Sequence, residues 1–380
     1  MPPSTTSSVS DPSFLTNTSP GLERAWYRWR PPTRSPSSRA VQLLGCHWCV
    51  LRLDGQLTAF EDRCPHRLAP LSIGTNCGAV LECRYHGWRF DRTGACTLIP
   101  SLGPDAAIPP RASVAVPYGV VERYGLVWLA PAAPVCELPA FDEWDDPTYD
   151  TCRNEPRDVA CSAFQLTDNF LDATHLPTVH TQTFGVADAG YLPPHEVAAD
   201  GWRISTLYRV TYRNHDDPLV ATGEHPLAQP QDLYKEACPA STALIRLDMP
   251  LTGKRLAILF ALQPQHDDSS RVYKQMARND FAGDEQRIKE SLAFEDLVMD
   301  EDLVVLEAYR ELGVPLDVRT EVHTRTDKLS LAYRRLLAAL VGGEGDVFAH
   351  SSIVSRGWAL TSWSGRGAGP SPSSASSCWL

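Results

Sequence analysis

Short runs of alternating apolar and polar residues, punctuated by Gly and Pro, fill the first third of the chain and predict an all-β segment. Between about Trp26 and Pro131, residues 41–53, Gln56–Glu61, 80–84, 88–91 and 118–129 read as strands. Asp54-Gly55 joins the first two as a tight hairpin, since such turns need residues that tolerate positive φ. Residues 131–146, rich in Pro, Ala and acidic side chains, read as a linker. The pattern then becomes mixed. Residues 162–174 have helical spacing, which Pro177 should stop or bend. Residues 202–212, 243–249, 256–263 and 271–277 alternate as strands, and 284–312 predict a long amphipathic helix with Gly313 placed to end it. From Gly342 the sequence collapses to Gly, Ser and scattered Trp and carries no assignment. No internal repeat is evident. The organisation expected is a disordered tail at 1–20, an all-β domain at 21–135, a mixed domain at 136–342 and a low-complexity tail at 343–380.

Composition narrows the class. With 380 residues, 43% hydrophobic and 21% charged, the chain suits a globular protein of two domains and has no apolar run of membrane-spanning length. A net charge of −11 opposes binding to nucleic acid or an anionic membrane. The start is Ser/Thr/Pro-rich without a basic region or a signal-like apolar core. Eleven cysteines are too sparse for a disulfide scaffold. Together these point to reduced thiols and a cytoplasmic location. Cys46 and Cys49 form a C-x-x-C inside a predicted strand, with no second such pair, and read as ordinary strand cysteines.

Two constellations carry chemistry. Cys64-Pro-His66 and Cys83-Arg-Tyr-His86 are two arms, each offering one thiol and one imidazole. A Rieske [2Fe–2S] centre needs that inventory, with two cysteines on one iron and two histidines on the other. Neutral imidazoles in place of thiolates lower the negative charge on such a cluster and raise its potential. Zinc also takes two Cys and two His, but its fingers pair like with like on helix-bearing spacing. Further along, Asn169-x-x-Asp172-x-x-His175-x-x-x-x-His180 brings two histidines together. Five positions on a straight helix separate them by about 140°, so a break at Pro177 is needed for both to reach one metal. Two histidines and a carboxylate on one face of Fe(II) leave positions open for O₂. Asp300, Glu301 and Asp302 on the long helix are candidates for the carboxylate, and helical geometry does not choose among them. Glu301 lies nearest the centre of a stripe formed by Leu297, Val304, Val305 and Ala308, and Asp302 lies at its edge beside Val298. Acidic runs are also commonly just solvated. Asp172 precedes His175 by three residues and is placed to accept an imidazole N–H. Asn169, one turn earlier, is placed either to reach the metal environment or merely to satisfy backbone groups.

In this order the two constellations resemble the Rieske non-haem iron oxygenases, and within them the vanillate and dicamba O-demethylase-like group. The resemblance spans about Ala25 to Leu340 and rests on Cys64-Pro-His-Arg-Leu-Ala-Pro-Leu-Ser72, Cys83-Arg-Tyr-His-Gly-Trp88, the Asn169–His180 pattern and Glu301-Asp-Leu-Val-Val-Leu-Glu307. It implies an α+β chain: an N-terminal all-β Rieske domain, then an α+β catalytic domain with an antiparallel, helix-grip-like sheet. It implies a cluster on Cys64, His66, Cys83 and His86, and a mononuclear Fe(II) on His175, His180 and Asp302, with Glu301 in reserve. It also implies a head-to-tail homotrimer in which Asp172 contacts His66 or His86 of a neighbour. The reaction implied is monooxygenation of an aromatic or largely apolar small molecule, by hydroxylation or by O- or N-demethylation. Ring dihydroxylation and simple electron carriage are the rival outcomes. Gly365-Arg-Gly-Ala-Gly369 follows no strand and is no dinucleotide site, so a separate NAD(P)H-dependent flavin/iron–sulfur reductase or a ferredoxin is expected. Arg84 departs from the pattern, standing where relatives often have proline.

Overall fold

The computed structural model describes residues 14–29, 39–103 and 105–343. The expected low-complexity tail, and most of the expected N-terminal tail, lie outside these residues.

The first half is built from small antiparallel sheets. Arg39–Leu43, Cys46–Leu53 and Gln56–Glu61 form one. Thr75–Asn76, Leu81–Glu82, Arg89–Phe90 and Cys96–Leu98 form a second. In a third, Leu126–Ala130 lies between Gly119–Arg123 and Tyr27–Trp29. Asp54-Gly55 is a hairpin turn as expected, with φ of 47° and 76°. Two turns of the same kind were not legible, at Leu44-Gly45 and Tyr124-Gly125, and they divide what read as single strands at 41–53 and 118–129. Leu and Tyr rarely hold positive φ, so only the glycine hinted at them.

The second half is an eight-stranded antiparallel sheet, with the helices Ala163–Leu171 and Lys328–Gly342 packed on it. The four expected strands appear as Arg203–Arg213, Thr242–Met249, Lys254–His266 and Ser269–Arg278. Between the first two runs Ala228–Cys238, which the pattern did not reveal. It alternates in burial as far as Ala237, but its inward row is Gln229, Gln231, Leu233, Lys235 and Ala237. The period is that of a strand while the hydrophobicity is not. The sheet's other face is covered by Trp128, Leu126 and Phe141 packed on Leu244, Leu259 and Tyr273.

Three expectations about helices are corrected. The first site helix spans Ala163–Leu171 and ends before Pro177. Asp172 is already extended, and Pro177 instead opens a one-turn helix, Leu176–Val179, where its missing N–H leaves no bond unmade. The long helix, Glu285–Leu306, is capped by Asp284 and ends six residues before the expected Leu312. Its supposed inner stripe faces outward: Leu297, Val304 and Val305 are 56%, 77% and 47% exposed. The buried face carries Glu295, Met299, Asp302, Leu303 and Leu306.

The tail at 1–20 is corrected in part. Phe14–Leu15 pairs with Val314–Pro315. Gly313 serves that contact instead of ending the helix: at φ 104°, a Cβ there would lie 2.1 Å from the Leu15 carbonyl oxygen. Asn17 is fully buried. Its Nδ2 donates to His266 O, Ser269 O and Ser270 Oγ at 2.7–3.0 Å, and its Oδ1 accepts from Ala163 N at 2.9 Å. One side chain thus caps the site helix and ties it to a strand hairpin, a role that composition cannot display. Asn17→Ala should lower unfolding free energy by about 3 kcal/mol, because several buried groups lose their partner together. A urea midpoint equal to wild type would show the segment to be dispensable.

Candidate functional site

The cysteine–histidine arms are two loops closed by the same hydrogen bonds. In the first, Cys64 N donates to Ala69 O and Leu68 N to Cys64 O, at 2.9 and 2.8 Å. In the second, Cys83 N donates to Trp88 O and Gly87 N to Cys83 O, at 2.8 and 2.9 Å. The fifth residue of each loop has positive φ, 59° at Leu68 and 71° at Gly87. A non-glycine residue there costs of order 1 kcal/mol, which the loop's bonds sustain. The thiols point inward and are buried with Leu71, Leu81 and Phe90. The imidazoles point outward, with ring centroids 4.4 Å apart, and His66 stacks on Trp88 at 4.6 Å. Burial pushes the Cys64 thiol up to about 11, so a thiolate forms here only against strong positive charge. The Nδ1 of His66 is buried and has no hydrogen-bond partner among the described residues. Two inward thiols, two outward imidazoles and a free ring nitrogen fit a Rieske cluster. Like-with-like pairing, the mark of a zinc finger, is absent from these loops.

The second constellation converges as well. His175 and His180 flank the one-turn helix instead of sharing a long one. His175 Nδ1 lies 2.7 Å from Asp172 Oδ2, and His180 Nδ1 lies 3.0 Å from Glu301 Oε2. Each carboxylate fixes one ring nitrogen and turns the other toward the same point. The Nε2 atoms are 3.6 and 3.4 Å from Asp302 Oδ1, to which Asn169 Nδ2 donates at 3.2 Å. One donor atom from each of His175, His180 and Asp302 falls within a 4.8 Å cluster, a donor set that fits a 2-His-1-carboxylate metal.

Glu301 is turned elsewhere. It also accepts from Gln182 N at 2.9 Å and Thr183 Oγ1 at 2.6 Å, so both its oxygens are engaged away from the point where the two Nε2 atoms meet Asp302. Asp300 pairs with Arg157 at the surface. Asp172 accepts from Thr174 N and Oγ1 and from His175 N, an arrangement made by extended chain just past the end of the helix. Burial alone would raise its carboxyl, but the bonds from His175 and Thr174 hold it well below the usual carboxylate range. Burial keeps the His180 imidazole below its ordinary value, outweighing Asp302 and Glu301, which favours the neutral, ligating form.

The triad closes one end of a cavity of about 630 Å³, counting its opening to solvent. Phe170, Leu233, Ile245, Ile258, Phe260 and Met299 make its walls apolar. Four further polar residues line it that sequence reasoning did not single out: Gln231, Lys235, Lys274 and Glu295. Lys235 donates to Asp172 O at 2.5 Å, and burial brings its ammonium down to about 8 against the pull of Asp172 and Asp302. The only available signal was the spacing of Glu295 and Asp302, seven apart and so on one helix face.

Comparison with known proteins agrees with this geometry. Residues 30–118 match the Rieske [2Fe-2S] domain, and residues 159–342 match the vanillate O-demethylase oxygenase C-terminal domain. The chain is 32% identical over 304 residues to methylxanthine N1-demethylase NdmA of Pseudomonas putida, covering 79% of this chain and 82% of that protein. It is 31% identical over 305 residues to a putative toluene-4-sulfonate monooxygenase system iron-sulfur subunit, TsaM2, of Comamonas testosteroni, covering 74% and 84%. The solved structure of Pseudomonas putida CBB5 NdmA with caffeine superposes with a TM-score of 0.72 at 26% identity, covering 86% of this chain and 94% of that one. The α+β architecture and the order of its two halves are therefore as expected. With both domains matched in sequence order, and relatives matched along more than four fifths of their length, the chain belongs to the Rieske non-haem iron oxygenases, in their vanillate O-demethylase-like branch.

Proposed function

We propose that this chain oxidises a small, flat, largely apolar molecule at the end of the cavity closed by His175, His180 and Asp302. The reaction is insertion of one oxygen atom from O₂, by hydroxylation or by O- or N-demethylation. The cavity carries this reading, because it ends on a metal-type donor set while its walls are mostly apolar. As a member of its family the protein is a monooxygenase that works with a Rieske [2Fe–2S] cluster, a mononuclear iron and a separate electron donor. When bound, the cluster supplies electrons singly and the iron activates O₂. The overall balance is two electrons and two protons per O₂, with the second oxygen leaving as water. A hydroxylated O- or N-methyl group leaves as formaldehyde.

The residues divide the work. Cys64 and Cys83 would hold one cluster iron, and His66 and His86 the other. His175, His180 and Asp302 would hold the mononuclear iron. Asp172 and Glu301 fix the two imidazole tautomers, and Asn169 steadies Asp302. The apolar walls exclude water from the reacting carbon. The donor in this reading is an NAD(P)H-dependent flavin/iron–sulfur reductase or a ferredoxin, and the setting is cytoplasmic. No helix among the described residues is long and apolar enough to cross a membrane. The relatives' names speak of demethylation and monooxygenation, which favours these outcomes over ring dihydroxylation or electron carriage alone.

Assembly belongs to the proposal. Around the cluster loops Leu68 and Tyr85 are exposed, and on the outer face of the long helix so are Phe294, Leu297, Val304 and Val305. Two different apolar patches on one chain suit a head-to-tail contact that closes into a ring. A homotrimer of this kind would set His66 or His86 of one subunit against Asp172 of the next, whose side chain is 23% exposed.

Electron paramagnetic resonance of dithionite-reduced protein, with iron counted on the same sample, tests the reading. A rhombic Rieske signal with about three irons per chain is expected. Two irons would mean a carrier, and zinc without the signal would remove the oxygenase reading altogether. Asp172→Asn should keep both metals and the cluster spectrum but lower turnover by roughly 10–100-fold. Full turnover in that variant would end the bridging role. Glu301→Ala should weaken mononuclear iron binding by about 10–100-fold while leaving cluster absorbance intact, as read by titration with Fe(II). Unchanged affinity would show that His180 needs no such support.

A further inference from the structure

The cavity has a second polar end. Glu295 and Asp302 stand seven residues apart on the long helix, so they share a face and are displaced by roughly 10 Å along its axis. Glu295 is 8% exposed and lines the same cavity. No hydrogen bond, and no ion pair within 4 Å, joins its carboxyl to another described residue, and its strongest electrostatic neighbours are the Lys274 ammonium and then Arg278. Both cations are engaged. Lys274 Nζ donates to the backbone oxygen of Glu295 at 2.5 Å and lies 3.5 Å from Asp296 Oδ1, and Arg278 pairs with Asp280 at 2.8 Å. Gln231, also buried, lines the cavity from the Ala228–Cys238 strand, and its side-chain amide makes no hydrogen bond to another described residue. Apart from Gln231, Lys235 and Lys274, the wall between Glu295 and the triad is built mainly of Phe170, Leu233, Ile245, Ile258, Phe260 and Met299. Burial raises the Glu295 carboxyl above its ordinary range, against the pull of Lys274 and Arg278.

A buried acceptor facing a ligand cavity is met by water until a ligand enters, and then depends on the ligand for its partner. A ligand with no donor there leaves it stranded, and such sites discriminate strongly against analogues that lack the matching group. An anionic group there meets a carboxylate whose neighbouring cations are already paired.

We infer that Glu295 is the specificity-determining acceptor for a neutral or cationic substrate that carries an N–H or O–H donor at the end remote from the oxidised carbon. The spacing suits a flat molecule of about two fused rings, its donor roughly 8–10 Å from that carbon. Aromatic acids presenting their carboxylate at this end are excluded. The choice of which end is oxidised rests on the monooxygenase reading, whereas the pairing of donor with Glu295 does not.

The test is calorimetric titration of the iron- and cluster-loaded enzyme under anaerobic conditions with three matched probes. These are 6-methoxy-2-naphthol, 2,6-dimethoxynaphthalene and 6-methoxy-2-naphthoate. The naphthol should bind at least tenfold more tightly than the diether and the acid. Glu295→Leu should erase the preference over the diether. Should that variant not fold, Glu295→Gln serves: its amide oxygen still accepts, so preference for the naphthol over the diether persists, while its amide N–H removes the exclusion of the acid. Equal binding of the three probes by wild type, no binding of the naphthol, or an unchanged preference in the Leu variant would overturn the inference. Iron content and cluster absorbance on the same samples report separately on the oxygenase reading, which fails if they are missing whatever the binding ratios.

Discussion

An imidazole has two nitrogens, and a metal site works only if the protein decides which one faces inward. Here the decision is made twice by the same device. Asp172 holds Nδ1 of His175 and Glu301 holds Nδ1 of His180, so both Nε2 atoms face Asp302. Much of the catalytic half can be read as what this pairing requires. The first site helix must end at Leu171 so that Asp172 is free to turn its carboxylate back on His175. The one-turn helix must follow, so that the histidines leave it from opposite ends. The long helix must present two adjacent acidic residues in different directions, one as orienting group and the other as donor toward the metal point.

The sheet answers a different demand. A cavity wall has to be dry enough for an apolar molecule yet offer polar anchors at chosen places. The Ala228–Cys238 strand meets it by putting Gln231 and Lys235 on its inward face beside Leu233. Burying such groups is unfavourable unless they are hydrogen-bonded or face a ligand. Lys235 is held by the Asp172 carbonyl, while Gln231 looks into the cavity.

These same features mark where the sequence was readable. The cluster arms, the two histidines and four sheet strands were legible because each is local: short spacings, sustained alternation, turn residues that act on their own backbone. That Asp302 and not Glu301 meets the two Nε2 atoms was not legible from helical geometry, because the stripe of Leu297, Val304 and Val305 that framed the comparison faces outward. Apolar residues on the outside of a helix look like core until a tertiary partner is known. The missing strand was hidden by its polar inner row, and Asn17 by a role that exists only once residues far apart in sequence have met. In each case function or long-range contact had displaced the local rule.

The pairing of Phe14–Leu15 with Val314–Pro315 and the bonds of Asn17 also alter how the two halves are joined. Residues 14–17 belong to the catalytic half, although the cluster half follows them in the chain. The cluster half then leaves through Tyr27–Trp29 and returns through Leu126–Ala130, and those two strands are neighbours in one sheet. Topologically, the electron-entry module is an insertion with adjacent ends, looped out of a continuous iron-binding body. Such a module can be lengthened, reshaped or exchanged as a cassette for a new redox partner while the pocket and its metal donors keep their frame.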